Sequence, residues 1–448
     1  MALEPTINKD EFVEAMQQRF VEGAQYWGGK PVCVSPGVQA QKVPDNQRGA
    51  CDMPLLHEIN GIYQAWEFKG WKDECRAISQ TCYIGDWTYL AKFSVKGAPE
   101  AITAYLKAKF INKFDVFEVG HEKHVFSTNE DGKLIMEGIA FKLAEDEILL
   151  TGGLAMNADS LAAGELAVEV EDVTAQQYCY HVQGPNSRKV LQKVLGEDIS
   201  DIKFTWFRNC TLNGHEVRIF RGGMSGELGY EVHGDSAFGS ADWEAIVEAG
   251  QEFGIEQLGY RSMPFNHLEA YFPTQWVDYI PASFPAPNDF VQNNLFHNPI
   301  EYHWGGRIDF EREFVGREAL LAEKENPTRV GVMLEWNSED VMKIFASLFD
   351  DEEDSIDLPP LPVARTHTYD EFLLPVLSQD FQFIGVCTNR GYSVRTKKFV
   401  SLTQIDAAYA EPGTQVQVKY GAEGKRQIML RATVLPVPYK PDNKFPKA

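Results

Sequence analysis

Cysteine and histidine are the residues of this chain best suited to bind a metal ion, and their spacing does not favour a metal centre. His121 and His124 come closest to a ligand pair, but no second pair lies near them in the sequence. Structural zinc sites take four such ligands, usually from closely spaced pairs. The cysteines are scattered without a C-x-x-C pair: Cys33, Cys51, Cys75, Cys82, Cys179, Cys210 and Cys387. We therefore predict no metal site, and reduced, mostly buried thiols.

Length and charge restrict the class of protein. A chain of 448 residues exceeds one ordinary hydrophobic core, so two or three domains are expected. The formal net charge of −23 repels phosphate backbones and anionic lipids, which argues against nucleic acid and membrane partners. Residues 1–20 are acidic and amphipathic, unlike a signal peptide, and no apolar run approaches the length of a membrane helix. We expect a cytoplasmic protein.

Two successive blocks of the chain show the same order of elements. Between residues 81 and 153, the pattern predicts a strand at YLAKFSVKG, a helix at APEAITAYLKAKF and strands at KLIMEGIAFKLA and EILLTGG. Between 178 and 251, a strand at YCYHVQGP precedes a helix at NSRKVLQKVLG, a hairpin at Asn213-Gly214 and the helix ADWEAIVEAGQEF. The repeat predicts a pseudo-duplicated α/β body in an α+β protein.

The ends of the chain differ from this body. Residues 1–70 read as an N-terminal arm, and residues 71–325 contain the body. Residues 326–448 contain several short strands with turn signals, which predict a C-terminal β-barrel. An acidic run from Asp350 to Asp357 in this last part is expected to be a solvated loop. We therefore predict a three-lobed protein.

Six short segments resemble landmarks of the glycine-cleavage T-protein (aminomethyltransferase) superfamily, in the same order. They are HVQGPNSRKVL (181–191), FRGGMSGELGYEVHG (220–234), LGYRSMPFNHLEA (258–270), FVGREAL (314–320), IGVCTNRGYS (384–393) and LPVPY (435–439). EAGQEFG, NPIEYHWG and WNSEDVMKIFASLFD (336–350) are most similar to the tetrahydrofolate-dependent vanillate and syringate O-demethylases of lignin-degrading bacteria. The resemblance runs from about residue 67 to residue 439 and implies a T-protein-like fold.

The resemblance also implies a folate site. Glu231 matches a family glutamate that hydrogen-bonds the amino and ring N–H groups of the pterin, a geometry that suits a carboxylate. Tyr230 is expected to brace this turn, and Arg261 matches an arginine near the folate cleft. Glu137 takes the place of a family aspartate near the folate nitrogens. The alternatives are a solvent-facing strand residue for Glu231, a structural ion pair for Arg261 and an edge-strand carboxylate for Glu137.

The substrate side departs from the O-demethylase pattern. Met263 stands where those enzymes have a tyrosine, and a thioether cannot protonate a phenolate. Gly153 stands where they have an arginine that binds the substrate carboxylate. A Q-x-H-H stretch of the family corresponds to Trp87-Thr88-Tyr89-Leu90. These changes imply an aromatic pocket, and a substrate whose carboxylate is missing or lies elsewhere.

The remaining candidates follow from this pocket. Tyr89 is the first candidate for an acid–base or phenol-orienting group, and His267, Tyr63 and Tyr260 are the next. Trp87 and Met263 are expected to pack against the substrate. For each of these residues, a role in the core or at its rim is the alternative.

Three functions are compatible with these observations. The first is tetrahydrofolate-dependent O-demethylation of a small methoxylated aromatic substrate, with methyl transfer to N5. The second is a formaldehyde lyase that needs no cofactor and releases a hydroxymethyl carbon from a lignin-derived phenolic dimer. The third is a non-catalytic folate-binding regulator, which the demethylase-type segments disfavour. We predict an enzyme of the first or second kind, and the sequence leaves a homodimer open.

Overall fold

The computed structural model describes residues 33–41, 56–59, 62–152, 161–351, 353–361 and 373–445. Most of the predicted N-terminal arm lies outside these residues, and so does Gly153. Within the part of the chain that is described, no helix is long and apolar enough to cross a membrane.

A small three-stranded sheet precedes the body. Its strands are β1 (Cys33–Val34), β2 (Leu56–Ile59) and β3 (Ile62–Ala65), in the order β1-β3-β2. A one-turn helix, α1 (Pro36–Gln39), begins after Ser35, whose hydroxyl accepts from the Val38 N–H. Helix α2 (Trp71–Gln80) then leads into strand β4 (Cys82–Asp86).

A five-stranded sheet forms the first half of the body. It comprises β5 (Ala91–Gly97), β6 (Glu122–Thr128), β7 (Leu134–Ala144), β8 (Glu147–Gly152) and β9 (Val168–Asp172), in the order β6-β7-β8-β5-β9. Helix α3 (Pro99–Lys109) covers it and buries Ile102, Tyr105 and Leu106. Proline in the first turn and lysines in the last turn suit the two ends of this helix.

A six-stranded sheet forms the second half. It combines β4 with β10 (Gln177–Gln183), β11 (Trp206–Leu212), β12 (His215–Arg221), β13 (Gly229–Asp235) and β14 (Ile255–Leu258), in the order β11-β12-β13-β10-β4-β14. Helices α4 (Ser187–Leu195) and α5 (Gly239–Gly250) pack against it. Asn213 and Gly214 both have positive φ, as a two-residue hairpin turn requires, which confirms the predicted hairpin.

Helices α6 (Met263–Ala270), α7 (Asp289–Leu295) and α8 (Arg317–Glu325) follow the second sheet. We call residues 271–280, between α6 and α7, the cavity loop. Tyr271 and Trp276 in this loop have φ values of 50° and 65°, which are strained for residues other than glycine. Asp278 fastens the loop, because its carboxylate accepts hydrogen bonds from the backbone N–H groups of Thr274 and Asn389.

The C-terminal part is a closed barrel. Its strands are β15 (Arg329–Trp336), β16 (Leu374–Leu377), β17 (Phe383–Ser393), β18 (Lys398–Asp406), β19 (Gln415–Tyr420) and β20 (Ile428–Leu435), in the order β15-β18-β17-β16-β19-β20. Helix α9 (Ser338–Ala346) lies against it and is capped by Asn337, which accepts from the N–H groups of Glu339 and Asp340.

The predicted α+β class and the C-terminal barrel are confirmed. The prediction missed strands β4, β6, β9, β13 and β14 of the body, however. Strand β6 begins with Glu122, Lys123 and His124, three polar residues that conceal the alternation typical of a strand. The division into an arm (1–70), a body (71–325) and a barrel domain (326–448) stays a prediction.

Candidate active site

A cavity of about 1160 Å³ lies between the two sheets of the body and the cavity loop. Pockets for a single drug-sized ligand usually measure ~300–1,000 Å³, so this cavity has room for more than one such molecule. Among the described residues, its wall contains five histidines, four carboxylates and four basic side chains between aromatic residues. This mixture of polar and aromatic groups suits acid–base chemistry on aromatic ligands.

Glu231 lies on the cavity wall, on strand β13, where this strand pairs with β10. Antiparallel pairing of β10 and β13 places His181 opposite Glu231 and Cys179 opposite His233. Because alternate residues of a strand share one face, these four side chains form one patch. Nε2 of His233 is 2.9 Å from Oε2 of Glu231, and Nε2 of His181 is 3.3 Å from Oε1.

The hydrogen bonds around His181 determine its protonation. The Gln183 side-chain amide donates to Nδ1 of His181 over 3.0 Å, and the Ser225 N–H fixes that amide by donating to its oxygen. Nδ1 is therefore an acceptor, and Nε2 carries the proton that faces Glu231. Burial lowers the pKa of His181 to about 4, so the ring is neutral near pH 7.

Glu231 is an ionised carboxylate that accepts hydrogen bonds. Burial raises its pKa, but His181 and His233 outweigh that effect and hold the pKa below its ordinary value. A carboxylate offers about four lone-pair positions, and His181, His233 and the Cys179 thiol, which donates to Oε2 over 4.0 Å, lie at three of them. A ligand in the cavity can donate to the remaining position or replace the weak thiol donor.

The same patch resembles a metal site, because ligand atoms of Cys179, His181 and Glu231 lie within 4.8 Å of one another. Burial and the charge of Glu231 raise the pKa of the Cys179 thiol well above its ordinary value, which opposes formation of a thiolate ligand. A metal-bound histidine also donates its other N–H outward, whereas Nδ1 of His181 accepts a hydrogen bond from Gln183. The arrangement favours a hydrogen-bonded carboxylate over a metal centre.

A second carboxylate group is centred on Glu137. Tyr279 donates to Oε2 of Glu137 over 3.0 Å, and Nε2 of His124 is 2.7 Å from Oε1. Arg307 donates to Nδ1 of His124 over 2.5 Å, so Nε2 of this ring carries the proton that faces Glu137. All four residues line the cavity. Burial and Glu137 raise the pKa of Tyr279 well above its ordinary value, so its phenol remains protonated.

Glu122 is a third acidic group on the wall, on strand β6. Burial and the charge of Glu231 raise its pKa well above the ordinary value, while Arg307 acts in the opposite direction. Like charges near one another favour protonation of one of them. Glu122 is therefore a candidate proton donor in the cavity.

His267 on α6 lines the cavity. Its Nδ1 forms a 2.5 Å hydrogen bond with the Thr274 hydroxyl, which also lies 3.2 Å from the Phe272 carbonyl oxygen. Burial, assisted by His181, lowers the pKa of His267 to about 3, so the ring is neutral near pH 7.

An aromatic wall lies beside Glu231. Trp87 stacks on His181 with their ring centres 4.0 Å apart, and His57 stacks on Tyr260 at 4.2 Å. Tyr89 meets Tyr260 edge-on, with 6.4 Å between the ring centres. Trp87, Tyr89 and Tyr260 line the cavity, as predicted for an aromatic pocket. Flat faces of this kind suit a ligand with an aromatic ring system.

Two of the predicted site residues lie behind the cavity wall. Tyr230 points to the opposite face of β13, where its hydroxyl accepts from Nε of Arg188 over 3.0 Å. Met263 is 3% exposed and packs in the core against the residues of the aromatic wall. Among the described residues of the wall, neither contributes a side chain to the cavity.

Arg261 and Tyr63 lie away from the described part of the wall as well. Arg261 makes a 2.6 Å ion pair with Glu67 and donates to the Leu361 carbonyl oxygen, which matches the structural alternative considered for it. Tyr63 lies on β3 and is half-buried. Gly153 lies outside the described residues.

The structure thus brings Glu231, Glu137, His267, Trp87, Tyr89 and Tyr260 together, and it adds residues that the sequence analysis did not single out. The spacing Cys-x-His at 179–181 and Glu-x-His at 231–233 was a usable signal, because residues two apart share a strand face. Tyr279 and Arg307 gave no such signal, because they lie in irregular segments.

Comparison with known proteins agrees with this architecture. Residues 47–286 match the family model described as the GCVT N-terminal domain. Sesamin methylene transferase from Sinomonas sp. (strain No.22) is 32% identical over 407 residues, which cover 83% of this chain and 89% of that protein. Syringate O-demethylase from Sphingobium sp. (strain NBRC 103272 / SYK-6) is 28% identical, with 89% and 95% covered.

The glycine cleavage system aminomethyltransferase T from Bartonella henselae has the same fold. Its crystal structure superimposes with a TM-score of 0.67 at 17% identity, covering 87% of this chain and 95% of that chain. The family model covers the cavity residues from His57 to Phe284, which are most of the wall. The chain belongs to the glycine-cleavage T-protein superfamily, as an enzyme of the one-carbon transferase or lyase type that is close to the O-demethylases.

Proposed function

We propose that the protein is a tetrahydrofolate-dependent O-demethylase that removes a methyl group from an aryl ether in the central cavity. The observation that carries this proposal is the Glu231 carboxylate, which is ionised and lies on the cavity wall. A pterin presents an amino group and a ring N–H side by side, and a carboxylate matches both. The relatives named as a syringate O-demethylase and a sesamin methylene transferase support one-carbon transfer.

The surroundings of Glu231 fit this cofactor. Trp87, Tyr89 and Tyr260 line the cavity beside the carboxylate, and the cavity has room for a cofactor together with a substrate. When bound, tetrahydrofolate supplies the nitrogen nucleophile that accepts the carbon. His181 and His233 hold Glu231 in place before the ligand arrives, which reduces the ordering that binding requires.

The Glu137 group fits the chemistry at the aryl oxygen. As the methyl carbon leaves, the bond to oxygen breaks and the oxygen must gain a proton. We assign this transfer to the Tyr279 hydroxyl, which Glu137 orients; the proton that the acceptor nitrogen would lose on gaining the methyl group would return to Tyr279 through Glu137. The positive charge of Arg307 stabilises the developing phenolate. Tyr89, the candidate from the sequence, keeps a role in orienting the ring.

Folate titration of two neighbouring variants tests the role of Glu231. Glu231→Ala should weaken tetrahydrofolate binding by about ten- to a hundredfold, because hydrogen bonds to a charged group contribute about 1.5–3 kcal/mol. Tyr230→Phe is the matched control, since Tyr230 is adjacent in sequence but faces Arg188 on the other side of the strand. Anaerobic calorimetry measures both, and equal affinities in Glu231→Ala and wild type would refute the pterin assignment.

A formaldehyde lyase is the second candidate, and the Glu137–Tyr279 pair favours it. A carboxylate that accepts from a tyrosine can draw a proton from a primary alcohol through that hydroxyl. The carbon–carbon bond then breaks, formaldehyde leaves, and the carbon left with the electron pair, beside the aromatic ring, takes up the proton. This reaction needs no methyl acceptor, so its rate should not depend on tetrahydrofolate.

A further inference from the structure

Glu122 has a carboxyl group on the cavity wall that makes no hydrogen bond or ion pair with any described residue. It lies on strand β6, and its backbone N–H donates to the Thr205 carbonyl oxygen over 2.9 Å, which fixes the backbone at this position. Alternate residues of a strand share one face, so Glu122 and His124 both point towards the cavity. Partly buried polar groups normally have a partner, and a ligand in the cavity could supply one for Glu122.

The cavity thus contains two carboxyl groups on different sheets, Glu122 on β6 and Glu231 on β13. Burial and the negative charge of Glu231 oppose ionisation of Glu122 and raise its pKa well above the ordinary value. Arg307 acts in the opposite direction, but this cation is shared with Glu137 and donates to Nδ1 of His124. Environments that separate two carboxyl groups in this way leave one of them protonated and the other ionised. Glu122 therefore offers a donor where Glu231 offers acceptors.

A carboxylic acid and a carboxylate recognise different atoms of a ligand. The acid has one O–H donor, whereas the carboxylate only accepts. A lactam ring, in which a carbonyl oxygen lies beside an N–H group, presents an acceptor to the first and a donor to the second. The pterin ring of tetrahydrofolate contains such a lactam.

We propose, on the basis of the proposed function, that Glu122 is a second binding residue for tetrahydrofolate, whose carboxylic acid donates a hydrogen bond to the lactam oxygen while Glu231 accepts from the N–H groups. The two glutamates then have opposite requirements. Glu231 must be an anion, and Glu122 must keep its proton. An amide can replace the acid at position 122, because it also contains a donor, but it cannot replace the anion at position 231.

Anaerobic calorimetric titration of the whole protein with tetrahydrofolate separates the two requirements. Glu122→Ala should weaken binding about three- to tenfold, as the loss of a hydrogen bond between uncharged groups predicts. Glu122→Gln should bind within about twofold of wild type, whereas Glu231→Gln should lose about ten- to a hundredfold, because hydrogen bonds to a charged acceptor are stronger. Glu118→Gln, at an exposed glutamate shortly before β6, is the matched control and should leave the affinity unchanged.

Infrared difference spectra between wild type and Glu122→Gln test the protonation of Glu122 without any ligand. At pH 7, wild type should show a carbonyl band of a protonated carboxyl group that the variant lacks. If Glu122→Ala does not fold, Glu122→Met, which keeps the length of the side chain but has no O–H donor, takes its place in the titration.

Equal tetrahydrofolate affinities of wild type and Glu122→Ala would overturn the proposal. Equal losses in Glu122→Gln and Glu122→Ala would also overturn it, because the side chain would then act as an anion, and so would infrared spectra without the protonated band. If wild type binds no tetrahydrofolate, the proposed function fails and the contact with Glu122 fails with it. Binding that depends on Glu231 but not on Glu122 overturns only the role of Glu122.

Discussion

Three neutral histidines give the cavity its pattern of donors and acceptors. His181 and His124 each receive a hydrogen bond on Nδ1, from an amide and a guanidinium respectively, and therefore point an Nε2–H donor at a carboxylate. His267 is held by a hydrogen bond between Nδ1 and the Thr274 hydroxyl. A neighbouring group thus sets the role of each ring, and this choice cannot be read from the sequence.

Replacement of Tyr279 should slow catalysis without changing the affinity for the cofactor. Tyr279→Phe removes the hydroxyl that we assign to proton transfer, so kcat should fall by about 10²- to 10⁴-fold. Tetrahydrofolate affinity should stay at the wild-type value, because Glu231 is unchanged. Steady-state kinetics and a folate titration measure the two quantities. Tyr105→Phe, which loses a hydrogen bond to the Leu161 carbonyl on the far side of the first sheet, is the control.

The low pKa of His267 in the folded protein predicts that the unfolding free energy falls as the pH falls. The folded protein holds this pKa near 3, below its ordinary value of 6.5, so the unfolded chain binds the proton more readily. The resulting stability is present above pH 6.5 and is lost as the pH falls. From pH 7 to pH 4, wild type should lose about 3 kcal/mol more unfolding free energy than His267→Asn. Urea unfolding at both pH values measures this difference, and parallel losses would contradict it.

At the level of elements, strands and helices with clear periodicity were predictable. The alternation in β10 places Tyr178 and Tyr180 in the core and Cys179 and His181 on the other face. The sequence does not reveal which strand pairs with β10, because register depends on contacts between distant segments. Strand β6 was missed because its first three residues are polar and line the cavity instead of a core.

The cavity loop should depend on its anchor in the barrel. Asp278 accepts from the Thr388 hydroxyl over 2.5 Å as well as from two backbone N–H groups, and it lies between Thr274 and Tyr279. Asp278→Ala should therefore displace both neighbours and lower kcat about a hundredfold, the cost of a shift of about 1 Å. Thr388→Val removes one of the three bonds and should have a smaller effect. Normal kcat in Asp278→Ala would show that the loop is held by other contacts.

At the scale of the whole molecule, six landmarks in order were enough to predict the fold. The cavity was not predictable, because its wall combines residues from position 57 to position 444. A buried ionic cluster connects these distant parts. Glu227, in the turn before strand β13, contacts Arg395 from the barrel, Lys440 at 3.2 Å and Asn443 from the C-terminal segment. The barrel and the C-terminal segment therefore help to position the turn that precedes Glu231.

Removal of one charge from this cluster should destabilise the protein. Lys440→Met leaves Glu227 with one fewer partner in a buried site, and breaking such a pair costs about 3–5 kcal/mol. Lys425→Met removes an ion pair with Asp357 in which both side chains are more than half exposed, and should cost about 0–1 kcal/mol. Urea denaturation of the two variants gives the comparison. Equal small losses of unfolding free energy in the two variants would mean that the buried cluster contributes little to stability.

The central claim concerns the destination of the one-carbon unit, and isotope labelling follows it most directly. Phenols with carbon-13 in the methoxy group are incubated anaerobically with the protein, with and without tetrahydrofolate, and the products are analysed by mass spectrometry. We predict that the label appears in 5-methyltetrahydrofolate, that no turnover occurs without tetrahydrofolate, and that Glu231→Ala greatly reduces transfer. Release of labelled formaldehyde at the same rate without tetrahydrofolate would contradict the account.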